Sequence, residues 1–406
     1  MTTQAAPITK RFDLNVGKRC NERCSFCYYL REIESGDTRD LTTEQIKAVL
    51  RVGRSRGKTR VDLTGGEPTI RRDLPEIIRY AREIGYETCC IITNGLVTAQ
   101  KAKLAALVDA GLNDILVSLH AWDAATHDAL VRVPGAHSKV LQTIENAIAL
   151  GLRPRVNHVV NSHNHRDVEH LVELLSPYRL GALNFIVFNP TRDAVRAEEG
   201  LTATYSEIAR YLRPALERGA RHFDAVNVRH MPFCFLKGHE PRVKTMWQLQ
   251  YERAEWDWCL DIIHKRGLLF MYAAATAGAI LMWRHPRLWR SPSRLHDALQ
   301  FARIRNDRMQ PPPCRSCRLR FICDGIPRSY AREVGWTELK PYIEGPTITD
   351  PAHFIPGSER EEPPRPDDRV RLPDTPTLWL GLHRRRTGLT GNTRHSRTAS
   401  SRPPAG

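Results

Sequence analysis

Apolar positions in the first half of the chain switch repeatedly between a strand period and a helix period. Strand-like segments fall at Phe12–Val16, Arg60–Leu63, Glu87–Ile92, Asp114–Leu119, Pro154–Val160 and Leu183–Phe188. Between the first two, a Thr42-x-x-Gln45 capping box opens a helix that carries Ile46, Val49 and Leu50 on one face. Further helices are predicted over Leu74–Ile84, Thr98–Ala110, Ser138–Leu150 and Arg166–Pro177, with Gly85, Gly111 and Gly151 where C-caps belong. Parallel strands need crossover connections, so this alternation predicts an α/β fold, a partial (β/α)6 barrel of parallel strands. In such folds the chemistry sits at the C-terminal ends of the strands.

After Thr204 the pattern changes. A helix is predicted from Tyr205 to Gly219, then a strand at Asp224–Arg229, a Cys-bearing segment Met231–Cys234 and a stretch rich in Trp. An apolar run, Leu268–Trp283, and a cysteine group at 314–323 follow. Beyond Pro356 the chain is rich in Pro, Arg, Ser and Thr with little periodicity, the composition of a disordered tail. The expected division is a barrel core over 1–204, a smaller cysteine-cluster domain over 205–350, and a disordered tail over 356–406.

At 406 residues the chain is long enough for two or three domains, and 41% hydrophobic with 26% charged residues is ordinary globular composition. Lys and Arg total 61 against 45 acids, a net charge of +16 that raises the question of nucleic acid. Ten Arg and six acids lie between Gly357 and Gly406, so +4 of the excess belongs to the tail, and the rest is scattered. A nucleic-acid partner is therefore not favoured. Met1–Lys10 has no apolar core of a secretory signal. The sixteen-residue run Leu268–Trp283 is short for a membrane span. It reads first as a buried helix and second as an interfacial one that would contact a membrane surface. Ten cysteines, grouped rather than spread, point to metal or cluster binding in a reducing cytoplasm.

The strongest chemical signal is Cys20-Asn-Glu-Arg-Cys24-Ser-Phe-Cys27, directly after the first strand. Three thiolates on one short loop hold three irons of a cubane and leave the fourth open, as a catalytic site requires. With Thr64-Gly65-Gly66-Glu67-Pro68 after the second strand, the chain resembles the radical S-adenosylmethionine (SAM) superfamily over Arg11–Phe188. The resemblance implies that Cys20, Cys24 and Cys27 ligate a [4Fe-4S] cluster whose open iron binds SAM, with Phe26 packing near the adenine. It implies that Gly65 and Gly66 allow close backbone approach to the ligand and that Glu67 accepts from the methionine ammonium. Strand-end polar residues Thr93, Asn94, Ser118 and Asn157 would contact SAM, and each also fits plain turn formation. His120 is a possible substrate contact or a structural residue. Cys89 and Cys90, neighbours on one strand, face opposite sides and read as packing residues.

The second group, Cys314-Arg-Ser-Cys317-x5-Cys323, resembles the core of SPASM and twitch extensions, which carry auxiliary iron–sulfur clusters. A full SPASM domain has a further cysteine where this chain has Pro327, so one auxiliary [4Fe-4S] cluster is expected. Cys234 is the preferred fourth ligand and Cys259 the other candidate. Zinc on the same thiolates is the competing reading. The resemblance implies an enzyme that takes an electron from a flavodoxin- or ferredoxin-type donor, cleaves SAM, and abstracts a hydrogen atom from its substrate. A peptide or small natural product is expected, in a net oxidation or cross-link. The nineteen residues before Cys20 leave no room for a leader-peptide-binding domain, which keeps small metabolites in contention. RNA or lipid modification is the alternative. A non-catalytic iron–sulfur redox or scaffold protein is the rival class, and the intact Gly65-Gly66-Glu67 opposes it.

Overall fold

The computed structural model describes residues 10–36, 38, 40–189, 200–248, 252–253 and 307–356. The run Leu268–Trp283, Cys259, and the tail from residue 357 lie outside the described residues. The six expected strands are present as β1 (Arg11–Asn15), β2 (Arg60–Thr64), β3 (Thr88–Thr93), β4 (Asp114–Ser118), β5 (Arg155–Val160) and β6 (Ala182–Val187). They are joined through α1 (Leu30–Ser35), α2 (Thr43–Ser55), α3 (Leu74–Glu83), α4 (Lys101–Asp109), α5 (Ala124–Val131), α6 (Ala136–Ala149) and α7 (Val168–Leu175). The capping box at Thr42 and Gln45 forms as the sequence predicts. Helices α1 and α5 were not expected, because each is a single short stretch with little apolar periodicity.

The sheet continues past residue 204. Helix α8 (Tyr205–Gly219) leads to β7 (Val226–Arg229), and then comes β8 (Val243–Lys244). The strand order β8-β7-β6-β5-β4-β3-β2-β1 is parallel at every step, a curled half-barrel two strands wider than the pattern suggested. A two-residue strand, β9 (Glu252–Arg253), pairs with the outer edge of β1.

Alternation divides each strand between two environments. Leu14, Leu63, Ile91, Val117, Val156, Phe185 and Val228 are fully buried against the helices. Every second residue faces the concave side instead, and there most positions are polar. At the lower end of that lumen Arg11 pairs with Asp62 at 2.6 Å and Arg155 with Asp114 at 2.6 Å. Arg155 also donates to Cys90 Sγ at 3.2 Å, so Cys90 joins this polar floor while Cys89 packs in the core.

The segment 307–356 packs onto the barrel. A small antiparallel pair, β10 (Arg308–Met309) with β11 (Ile326–Pro327), precedes α9 (Arg328–Glu333). Leu319, Ile322, Ile326 and Tyr330 belong to the same buried cluster as the α8 and β7 side chains. Tyr330 lies 4.4 Å from the Tyr205 ring and accepts from the Tyr205 backbone N–H.

Candidate active site

The Cys20–Cys27 loop leaves β1 and is fastened at several points. Gly66 N–H donates to Gly17 O and Glu67 N–H to Arg19 O, both at 2.8 Å. Arg71, buried, donates to Val16 O and Leu41 O, bracing the start of the loop. The far side hangs on α5, where Arg23 N–H reaches Val131 O and Ser25 N–H reaches Leu130 O. Cys20 and Cys27 accept backbone N–H groups of Glu22 and Tyr29 at 3.4 Å. Such N–H···S contacts favour thiolate ligands and tune an iron–sulfur centre. Burial pushes the Cys20 thiol up to about 12 and raises those of Cys24 and Cys27 as well. Loading a cluster would therefore release protons.

Gly65 and Gly66 serve the loop itself. A Cβ on Gly66 would lie 2.2 Å from Arg19 O and 2.5 Å from Lys18 O, and one on Gly65 would lie 2.2 Å from Gly17 O. The two glycines let β2's turn slide under the cysteine loop. Glu67 is fully enclosed: it accepts from Thr69 and Thr93 through Oε1 and from Asn94 N–H at 2.7 Å through Oε2. The carboxylate thus ties the ends of β2 and β3 together. Asn94 in turn donates to Asn21 Oδ1 at 2.8 Å, inside the cysteine loop. Asn94 thus reaches the cysteine loop, and Thr93 reaches Glu67.

Phe26 packs against the buried cluster of Leu130, Phe188 and Leu201, as Val159 does, and meets the His120 ring edge-on at 4.6 Å. Ser118 and Asn157 sit side by side in register on β4 and β5, half-buried on the concave wall. The sequence reading missed Glu22, whose Oε2 lies 3.2 Å from Cys24 Sγ while Oε1 is buried without a partner. Burial pushes its carboxyl up to about 8. Its position between Cys20 and Cys24 was the available signal.

His120 belongs to a buried layer with His127 and His158, the rings 5.9 and 6.5 Å from it. Its Nδ1 accepts from Val159 N–H, and the His120 backbone N–H donates to His127 Nδ1. Burial lowers all three pKa values, to about 4 for His127 and His158. The unfolded chain protonates these rings near pH 6.5 and the folded chain resists, so stability falls as pH drops from about 6.5 to 4. Full protonation should cost on the order of 3 kcal/mol for each of His127 and His158. Urea midpoints of the cluster-free chain should fall between pH 7 and pH 4.5, and equal midpoints would contradict this origin.

A second thiol group assembles about β7 and the 307–356 segment. Cys234, in the turn after β7, lines one pocket together with Cys314, Cys317 and Cys323. Phe233, Leu319, Ile326 and Tyr342 wall it. Burial pushes the Cys234 and Cys314 thiols up to about 12 and about 11, and Cys323 accepts the Gly325 N–H. Among the described residues, the trio of His, Cys, Asp or Glu ligand atoms found within 4.8 Å of one another is Asp62–Cys90–Asp114. Paired arginines already occupy that trio.

Residues 14–175 match the family model described as the Radical SAM superfamily. This stretch is a radical SAM domain. A probable GTP 3′,8-cyclase of Saccharolobus solfataricus is 38% identical over 177 residues, which are 42% of this chain and 54% of that protein. A protein of the same description from Sulfolobus acidocaldarius is 37% identical over 172 residues, covering 42% and 53%. The chain thus spans about half the length of the curated relatives it matches. The crystal structure of Streptococcus suis SuiB bound to S-adenosylmethionine aligns with TM-score 0.45 and 16% identity, over 55% of this chain and 51% of that one. Among the described residues no helix is long and apolar enough to cross a membrane.

Proposed function

We propose that the chain is a radical SAM enzyme that abstracts a hydrogen atom from a peptide or small natural product in a net oxidation or cross-link. The observation that carries this reading is the Cys20–Cys24–Cys27 loop, fastened over the Gly65–Gly66 turn and opening on a polar lumen. Cys20, Cys24 and Cys27 would hold the [4Fe-4S] cluster. When bound, cluster and SAM supply reductive C–S cleavage and hence a hydrogen-abstracting radical. The chain's own part is placement: Phe26 packs beside the ligand, Ser118 and Asn157 present polar groups from the wall, and the Arg–Asp floor closes the lumen below. Electrons come from a flavodoxin- or ferredoxin-type donor in a reducing cytoplasm.

The oxidative character rests on Cys234. With Cys314, Cys317 and Cys323 it makes four thiols around one pocket, enough to ligate every iron of a second cubane. A fully ligated cluster has no position for substrate and suits an electron acceptor. Nucleotide cyclisation is the second reading, favoured by the names of the matched relatives. Its test is direct: reconstituted protein with SAM, dithionite and GTP should yield no cyclised nucleotide above a no-enzyme blank. Cys234→Ala should leave 5′-deoxyadenosine formation within about threefold while altering the second cluster's electron paramagnetic resonance spectrum. An unchanged spectrum would remove Cys234 from the ligand set.

A further inference from the structure

The concave wall holds a feature that the site reading leaves unused. Asn157, Asn184 and Asn227 stand opposite one another on β5, β6 and β7, in parallel register. Their side chains form a ladder: Asn227 Nδ2 donates to Asn184 Oδ1 at 2.9 Å, and Asn184 Nδ2 donates to Asn157 Oδ1 at 3.0 Å. All three are half-buried on the lumen side, between helix-facing residues that are fully buried. In-register amides on neighbouring strands pair in this way because the strand spacing matches one hydrogen-bonded amide repeat.

Such a row has a direction. An amide offers NH2 on one side and C=O on the other. The middle residue must donate one way and accept the other, so one amide cannot turn over unless its neighbours turn with it. The direction seen leaves Asn157 with its carbonyl engaged and its NH2 without a partner among the described residues. Asn157 itself stands in register with Ser118 on β4.

We propose that Asn184 and Asn227 are positioning residues for SAM, holding Asn157 so that it presents a donor rather than an acceptor to the bound ligand. The inference rests on the reading of Asn157 as a SAM contact. The natural recipients are the oxygens of SAM, its carboxylate or ribose hydroxyls. Asn227 acts two strands away, with no contact to the ligand required of it.

An aspartate tests the direction because, ionised, it can only accept. In Asn184→Asp, Asn157 must rotate to donate to the new carboxylate, and its carbonyl then faces SAM. In Asn227→Asp, Asn184 must turn first and Asn157 follows, so the reversal crosses two strands. Replacing a donor by an acceptor at a charged or polar ligand atom should weaken SAM about tenfold to a hundredfold. Asn227→Leu deletes the donor without imposing the reverse direction and should weaken SAM less than threefold.

The measurement is SAM affinity on the full chain with its clusters reconstituted anaerobically, by equilibrium dialysis and by the SAM-induced change in the reduced cluster's electron paramagnetic resonance spectrum. Iron content and circular dichroism confirm that each variant is loaded and folded. Asn227→Asp and Asn184→Asp should each lose at least tenfold, and neither should add to the loss in an Asn157→Leu background. The ladder proposal is overturned if Asn157→Leu weakens SAM while Asn227→Asp behaves like Asn227→Leu. It is overturned equally if the Asn227→Asp loss persists without Asn157, since that is the mark of a charge acting through space. If Asn157→Leu leaves affinity unchanged, the failure belongs to the reading of Asn157 itself. Should Asn227→Asp not fold, Asn184→Asp decides the same question one strand nearer.

Discussion

Changing Cys20, Cys24 and Cys27 together to Ala should lower iron from about eight to about four atoms per reconstituted chain and abolish 5′-deoxyadenosine formation. The two losses have one cause. All three sulfurs lie on a single loop between β1 and α1, and no other described cysteine approaches it: Cys89 and Cys90 are on β3, and the remaining thiols gather around Cys234. About four irons retained would place a second cluster on Cys234, Cys314, Cys317 and Cys323, which line one pocket. Near-zero iron would leave that group to zinc or to structure and shift the chemistry towards a redox-neutral reaction. Persistent 5′-deoxyadenosine would remove the loop from catalysis altogether. Because the substitutions leave the Gly66–Gly17 and Glu67–Arg19 backbone bonds in place, the barrel should keep its secondary structure.

Much of the barrel was legible because local signals and global packing agree there. Thr42 with Gln45 caps α2 as a written motif, and the six strands occur within a residue or two of their apolar segments. What escaped was short or non-local. Strand β8 has two residues and β10 and β11 have two each, too few to show a period. Helix α5 follows Asp123, whose side chain accepts from Thr126 N–H, but its eight residues carry no clear apolar stripe. Yet it holds the cysteine loop through Val131 O and Leu130 O.

The site was legible in its ligands and less so in its supports. Cysteine spacing is a local fact, so the loop and the second group could be read directly. The approach of Cys234 to cysteines some eighty positions later depends on how the 307–356 segment docks against α8 and β7. Glu67 shows the same limit. Its motif marks it as a ligand contact, whereas the structure shows its carboxylate accepting from Thr69, Thr93 and Asn94. The three asparagines look unrelated in sequence, and only the register of β5, β6 and β7 makes them a row.

Gly66→Ala should be among the most damaging single methyl groups in the barrel. The new Cβ would meet Arg19 O at 2.2 Å and Lys18 O at 2.5 Å, both backbone atoms that no side-chain rotation can clear. Relief requires the cysteine loop to lift away from the β2 turn, breaking the Gly66–Gly17 and Glu67–Arg19 hydrogen bonds. Overpacking of this kind costs about 1–3 kcal/mol, and the lost backbone bonds add to it. The cost falls on the loop that carries the ligands, so cluster loading should suffer more than global stability. Iron at the first site should drop below about half, and SAM cleavage per chain about a hundredfold, while the thermal midpoint moves by only a few degrees. Gly151→Ala is the control: its φ of +78° is strained for alanine, but nothing lies within 4 Å of the new methyl. It should cost about 1 kcal/mol of stability and leave iron content untouched. Equal iron loss in both variants would mean that loading follows overall stability rather than the fit between loop and turn. Full iron in Gly66→Ala would mean that the loop can seat its cluster without the contact that β2 now makes.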